Sequence, residues 1–525
     1  MGSAPEGRRH ETGGAISPGK PSSLARRYLA KLLSNVATIP LFLLMEMILP
    51  RALGPTGYGN VNFATGFFQN IVNFFDMGTS TCLQTSLAKR PGEFGLAAFY
   101  ARLALALLLL CLLAGAGASI PAIGTRLMPG VPLWMAMPAA LWAYLTWAGR
   151  LARGINDSLG RTTRSEWVRV GINLASALAL AGLFWRDMLG PELFFGHQYL
   201  FLILTALGFL WILRDCWPER SWSLPAAKAR EYAREFLRYS RPLFVLSLCS
   251  LAALTGERWL LQLFEGSVEQ GYYSLGQKVG MACFLFVTAI TPLLMRELAV
   301  AHGNNDAAGM GRLMNRFAPM IYGVAAWFSC FVVVEAPAVV LLFGGAEFAG
   351  AMTAVQIMAF YPVHQGYGQL VSAAYYASGE TRLLRNITVS SLLGGLVCAW
   401  GLLAPGHWGG LELGSVGLAV KMTVVQVLTV NVLLFACRRT VPFALGRNLA
   451  HQILCPACFF ALALAARLGT DGAVAQSGPG RFFLSCLCYG ALSLGAVWGW
   501  PFLLGMSRED LRSWRRRFLS ALRRS

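Results

Sequence analysis

Apolar stretches of about twenty residues recur fourteen times along this chain, each bounded by charge or by Gly and Pro. A bilayer core about 30 Å thick needs roughly 20 residues of helix at about 1.5 Å rise per residue. Each stretch therefore has spanning length. They lie near 28–49, 58–83, 95–118, 131–149, 170–185, 194–213, 242–264, 270–295, 318–343, 350–377, 386–404, 413–436, 449–466 and 482–505. The second, fifth and tenth are short or carry Asn, Gln or His. With 56% hydrophobic and 13% charged residues, the sequence lacks the polar surface that soluble domains of 525 residues would require. The expected fold class is all-α, a polytopic membrane protein of about fourteen transmembrane helices.

A formal net charge of +19 would suggest nucleic acid as partner of a soluble protein, but here the Lys and Arg residues follow topology. With the N-terminus inside, 35 of the 44 fall in inward segments, and only Arg51, Arg126, Arg186, Arg467 and Arg481 in outward ones. Arg102, Arg258, Lys278 and Lys421 lie within spans. Both termini are thus expected on the cytoplasmic side, and no nucleic-acid partner is expected. The outward connections are short, the longest being about Gly469 to Gly480, which disfavours a membrane glycosyltransferase or polymerase with catalytic residues in a large loop.

The opening residues lack the apolar core of a signal peptide and read as a disordered arm, 1–25. Ala226 to Arg241 interleaves basic residues with Tyr232, Phe236, Leu237 and Tyr239, the pattern of an amphipathic interfacial helix. The tail from Ser507 opens with a capping-box pattern and sets Leu511, Trp514, Phe518 and Leu522 among seven arginines, which suits a helix on an anionic leaflet. The cysteines fall mostly inside apolar runs and behave there as small hydrophobes. Cys455-Pro-Ala-Cys458 has no second ligand pair of clear spacing. With no Walker loop either, no cofactor, metal or catalytic residue is expected.

An internal repeat is visible. Arg27-Tyr28 precedes the first span and Arg238-Tyr239 the seventh, and Gly57-Tyr58 and Gly271-Tyr272 follow in the next outward turns. This predicts two six-span lobes in parallel orientation, 26–216 and 242–437, joined by a linker at 217–241. Two further spans occupy 438–506 and a basic tail 507–525. A duplicated bundle places its substrate path between the halves.

Ser34-Asn35, Arg51-Ala-Leu-Gly-Pro-Thr-Gly-Tyr-Gly59 and Asp76-Met-Gly78, with Glu257-Arg258, Gly271-Tyr-Tyr-Ser274, Lys278 and Ser378-Gly-Glu-Thr-Arg382 in the second half, carry a resemblance. The chain resembles the polysaccharide biosynthesis and O-antigen flippases of the multidrug/oligosaccharidyl-lipid/polysaccharide exporter superfamily, with Glu257-Arg258 where that family often has Asp-Arg. The resemblance implies a non-enzymatic flippase of the bacterial inner membrane. Its cargo would be a polyprenyl-diphosphate-linked oligosaccharide for surface polysaccharide or lipopolysaccharide synthesis. Membrane lipids, a polysaccharide polymerase and glycosyltransferases would be its partners. A cation-coupled multidrug antiporter of the same superfamily is the alternative.

A charged head group needs a polar path, and charges inside spans are costly enough to mark one. Arg258, Lys278 and Lys421 lie in the outer halves of their spans, on three helices, and would form a cationic lumen if they face one space. Asp76 with Gln69 and Asn73 makes a polar face on the second span. His364 and Gln365 interrupt the tenth, where polar groups are tolerated only under cover of protein or a wet cavity.

Overall fold

A computed structural model describes residues 24–217, 222–288, 291–439, 441–473, 479–506 and 509. The expected arm and nearly all of the arginine-rich tail lie outside the described residues. All regular structure among the described residues is helical. In chain order the helices are α1 (Leu24–Asp76), α2 (Thr79–Lys89), α3 (Phe94–Ser119), α4 (Pro121–Leu127), α5 (Ala136–Ser158), α6 (Thr162–Trp185), α7 (Pro191–Leu213) and α8 (Ala226–Ser240). The second half continues with α9 (Phe244–Thr288), α10 (Thr291–Gly303), α11 (Ala307–Val334), α12 (Ala336–Gly344), α13 (Met352–Met358), α14 (Tyr361–Ser378), α15 (Thr381–Leu403) and α16 (Gly414–Cys437), followed by α17 (Leu445–Ala473) and α18 (Pro479–Gly499).

Ten described helices are long and apolar enough to cross a membrane. Two of them, α1 and α9, are bent back on themselves. Gly54 (φ 65°, ψ 173°) and Gly266 (φ 79°, ψ −168°) occupy backbone conformations that essentially only glycine adopts. The Tyr58 hydroxyl donates to the Glu46 carboxylate at 3.4 Å, whereas twelve residues of straight helix would separate them by about 18 Å. Arg258 and Gln277 are likewise bonded across the second bend. Each bent helix thus supplies two antiparallel arms. With α5 and the broken pair α13–α14, this brings the membrane-length segments among the described residues to fourteen.

The two largest buried cores lie in different halves of the chain, and a smaller one around Tyr58, Leu275 and Val339 bridges them. One joins residues of α1–α8, with Phe63, Phe68, Tyr100, Trp147 and Phe195 among its buried side chains. The other joins residues from Leu294 onward, including Tyr322, Tyr367 and Tyr375. The C-terminal pair α17–α18 packs on α11, where the Tyr489 ring stacks on Trp327 at 5.5 Å. Outward-facing side chains are as apolar as inward ones: Leu113, Val397, Ile453 and Leu494 are each over 70% exposed. Lipid tails, not water, suit that surface.

Helix α8 forms where the sequence pattern places it, but its aromatic face turns toward protein. Tyr232 and Phe236 are buried against Phe99 and Tyr100, while Leu237 and Tyr239 are exposed. Polar bonds fix the docking: Tyr232 donates to Glu93 at 2.5 Å, and Glu235 accepts from Ser86 at 2.7 Å and from Arg90 at 2.7 Å. Burial disfavours the Glu235 carboxylate, yet the bonds from Ser86 and Arg90 outweigh it and hold the group below its ordinary pKa.

Candidate functional site

The two lobes meet where α1 lies along α9. At the end where α1 and α9 bend, glycines let the two backbones touch. A Cβ on Gly59 would fall 1.9 Å from the Ser267 carbonyl oxygen, and one on Gly271 would fall 2.3 Å from that of Pro55. Around this crossing Ser267 donates to Asn60 at 2.6 Å, Gln262 to the Pro129 carbonyl at 2.9 Å, Trp259 to the Arg126 carbonyl at 3.0 Å and Arg51 to the Leu341 carbonyl at 2.8 Å. The end of the seam beside the two bends is therefore closed by lobe-to-lobe bonds.

Deeper along the seam lie two of the cations singled out by the sequence. Lys278 pairs with Glu46 at 2.5 Å, with side chains 30% and 11% exposed. Arg258 bonds to Gln277 and lies 5.3 Å from the centre of the Tyr273 ring. Its neighbour Glu257 points elsewhere, because adjacent helix residues do not share a face. Glu257 instead pairs with Lys421 inside the second lobe, where the two side chains are 4% and 5% exposed. Thus Arg258 and Lys278 share the seam, and Lys421 lies apart from them in a closed ion pair. Glu46 is a site residue that a survey of intramembrane cations passes over; an acid inside the first apolar run was the signal.

In the first lobe, Asp76 accepts from Ser80 N at 3.1 Å, Ser80 Oγ at 2.8 Å, Trp147 Nε1 at 3.1 Å and the Tyr100 hydroxyl at 3.3 Å. It ties the start of α2 to α3 and α5. Asn73 is exposed, and its side-chain oxygen accepts from Gln69 and from Arg150, each at 3.2 Å. In the second lobe, the His364 ring packs edge-on against Tyr322 at 5.3 Å, and Gln365 accepts from Gln426 at 2.6 Å.

The most concentrated charge lies where the apolar runs end. The sequence reading treats 150–169 as a connection, but α5 and α6 run through it and leave only 159–161 as a turn. Glu166, 1% exposed, receives Arg153 at 2.5 Å and Arg169 at 2.8 Å. Ser34 donates to the same carboxylate at 2.7 Å, and Arg169 also donates to Ser34 at 2.7 Å and to Asn35 at 3.0 Å. Two guanidiniums share one carboxylate, leaving a net positive charge. Arg169 lines a cavity of about 340 Å³ together with Asn35, Thr38, Phe42, Met45 and Asn173, a volume in the range of small-molecule sites. Ser34-Asn35, which carried part of the resemblance, is thus the contact between the first span and this cationic group.

Two lobes of membrane-spanning helices that meet along a polar seam, closed at one end and charged along its length, define a multi-pass membrane protein with the architecture of a transporter. The chain belongs to the polysaccharide biosynthesis protein family, which it matches over residues 24–294. Its fold is similar to that of the lipid II flippase MurJ in an inward closed conformation, at 13% identity and a TM-score of 0.65, over 90% of this chain and 98% of that one. It is also similar to a multidrug resistance MATE family transporter of the MOP superfamily. The inward-facing conformation gives 15% identity and a TM-score of 0.57, over 79% of this chain and 98% of that one. An outward-facing conformation gives 16% and 0.52, over 79% and 94%. No curated protein sequence matches the chain. The fold is thus one that a lipid II flippase and a multidrug transporter also have.

Proposed function

We propose that the protein moves a polyprenyl-diphosphate-linked oligosaccharide from the cytoplasmic to the outer leaflet of a bacterial inner membrane, for surface polysaccharide synthesis of the O-antigen or lipopolysaccharide kind. The N-terminal arm and basic tail are cytoplasmic in this reading, and polysaccharide polymerase and glycosyltransferases act before and after it. The lobes, taken as 26–216 and 242–437, rock about the seam so that the path opens to one side at a time. The head group crosses because charges and water replace hydrocarbon around it.

The observation that carries this reading is the excess guanidinium of Arg169 beside the 340 Å³ cavity. Arginine's planar fork suits a diphosphate, and the cavity it lines between α1 and α6 borders the seam through Phe42, whose ring lies 6.0 Å from the Lys278 ammonium. Arg258 and Lys278 lie further along the path, where Glu46 keeps Lys278 neutralised until a phosphate displaces it. Asp76 is occupied by Ser80, Trp147 and Tyr100, and three further acids carry cations already, which argues against a carrier of cationic drugs. Each of Glu46, Glu166 and Glu257 is already paired with a Lys or Arg, leaving no free carboxylate among these three for a cation.

The experiment is glycan export in cells carrying Arg169→Gln and Arg169→Lys. Arg169→Gln abolishes surface glycan while the protein stays in the membrane, and Arg169→Lys retains part of it. Full export by Arg169→Gln at normal protein level would sink the assignment.

A further inference from the structure

A second charged space lies outside the seam, at the end of the bundle where the first span begins. Helices α2 and α8 face each other across a groove of about 860 Å³. From α2 it is lined by Cys82, Thr85, Ser86 and Lys89, and from α8 by Glu231, Arg234, Glu235, Arg238 and Tyr239. Both sets follow the spacing of one helix face. Pro242 and Leu243 floor it.

The charges do not cancel. Glu235 is taken up by Arg90 and Ser86. Lys89, Arg234 and Arg238 make no ion pair with any described residue, and Glu231 is the one acid left against them. A concave space with three unpaired cations concentrates anions. The Tyr239 hydroxyl adds a donor, and the apolar floor of Pro242 and Leu243 suits a ligand with an apolar end. Basic pockets of this kind at a membrane surface bind phosphate head groups.

We propose that this groove is a phosphate-recognising site, separate from the transport path and independent of the reading given above, whose natural occupant is the head group of an anionic phospholipid. The site also straddles a joint. Met77 (φ 39°) and Gly78 (φ 78°) break the second arm of α1 from α2, and a Cβ on Gly78 would fall 2.8 Å from the Leu243 side chain. A phosphate bridging Lys89 to Arg234 and Arg238 therefore clamps this break to the segment that links the lobes.

The test uses the full-length protein in detergent. Its thermal midpoint and bound lipid, by native mass spectrometry, are followed with short-chain phosphatidic acid, short-chain phosphatidylcholine and inorganic pyrophosphate. Phosphatidic acid raises the midpoint and phosphatidylcholine does not. The triple variant Lys89→Gln, Arg234→Gln, Arg238→Gln weakens phosphatidic acid binding about tenfold or more. Removal of three charges off the groove, by Lys228→Gln, Arg230→Gln and Arg241→Gln, leaves binding unchanged. Competition by pyrophosphate at equal strength assigns the site to soluble phosphates and upholds phosphate recognition; failure to compete assigns it to lipid. If the groove variant does not fold, Glu231→Gln serves instead and tightens binding about fivefold. The proposal is overturned by equal binding in the groove variant, by equal loss in the off-groove variant, by loss on Arg169→Gln instead, or by no binding at all.

Discussion

A charge inside a lipid-spanning bundle persists only where polar or charged partners cover it, and Lys421 with Glu257 is the most complete ion pair here. Lys421→Ala leaves a carboxylate buried without a partner, which costs about 3–5 kcal/mol. Replacing both, Lys421→Met with Glu257→Leu, restores most of that stability, because the pair repays little more than its own desolvation. Thermal unfolding in detergent measures both. A double variant no more stable than Lys421→Ala would show that the pair is not the unit. Arg258, Lys278 and Lys421 were legible in the sequence because charged letters stand out in apolar runs. Their partners were not, since Glu257 lies 164 residues from Lys421 and Glu46 232 residues from Lys278. Only the fold brings such residues together.

Among the elements, the bent helices show most directly how one residue shapes a segment. Gly54→Ala forces a side chain into a glycine-only conformation and costs about 1–3 kcal/mol. Gly57→Ala, three residues along and within regular helix, meets only Leu53 Cβ at 3.4 Å and stabilises by up to about 1 kcal/mol. Thermal midpoints of opposite displacement are the expected result, and a loss from both variants would sink the bend argument. Helix α8 adds a pH dependence. A carboxylate held below its ordinary pKa contributes stability above the unfolded value, about pH 4.3, and loses it as pH falls through the lowered folded value. Glu235 therefore keeps α8 docked from pH 8 to pH 5, and hydrogen exchange over 226–240 accelerates only in stronger acid. Acceleration between pH 7 and 5 would contradict the assignment. Most helices lie near their expected positions because twenty apolar residues leave the backbone no alternative in lipid. The boundaries of α5 and α6 were not legible. Hydropathy falls at Arg150, Arg153, Glu166 and Arg169, but these side chains bond to one another and to α1, so the helices run on through them.

At the scale of the molecule, the paired bends of α1 and α9 and the closed end of the seam are one feature. The Gly-Tyr pairs legible in the sequence lie beside the places where α1 and α9 cross, and glycine is needed at Gly59, just after the first pair, and at Gly271 in the second because each meets the opposite backbone. A methyl group at either position cannot be accommodated by rotating a flexible side chain, so the arms must part. Gly271→Ala is thus expected to shift the protein toward a form open at the outer end. A cysteine placed at Asn60, itself 6% exposed, in a chain whose twelve native cysteines are replaced, reports the change through a membrane-impermeant maleimide. Labelling rises several-fold with Gly271→Ala and stays low with Gly57→Ala, whose site faces its own helix. Glycan export falls in the same variant, because a path that rests open outward no longer loads from the inside. Unchanged labelling in a correctly folded Gly271→Ala protein would mean that the seam closes by some other contact.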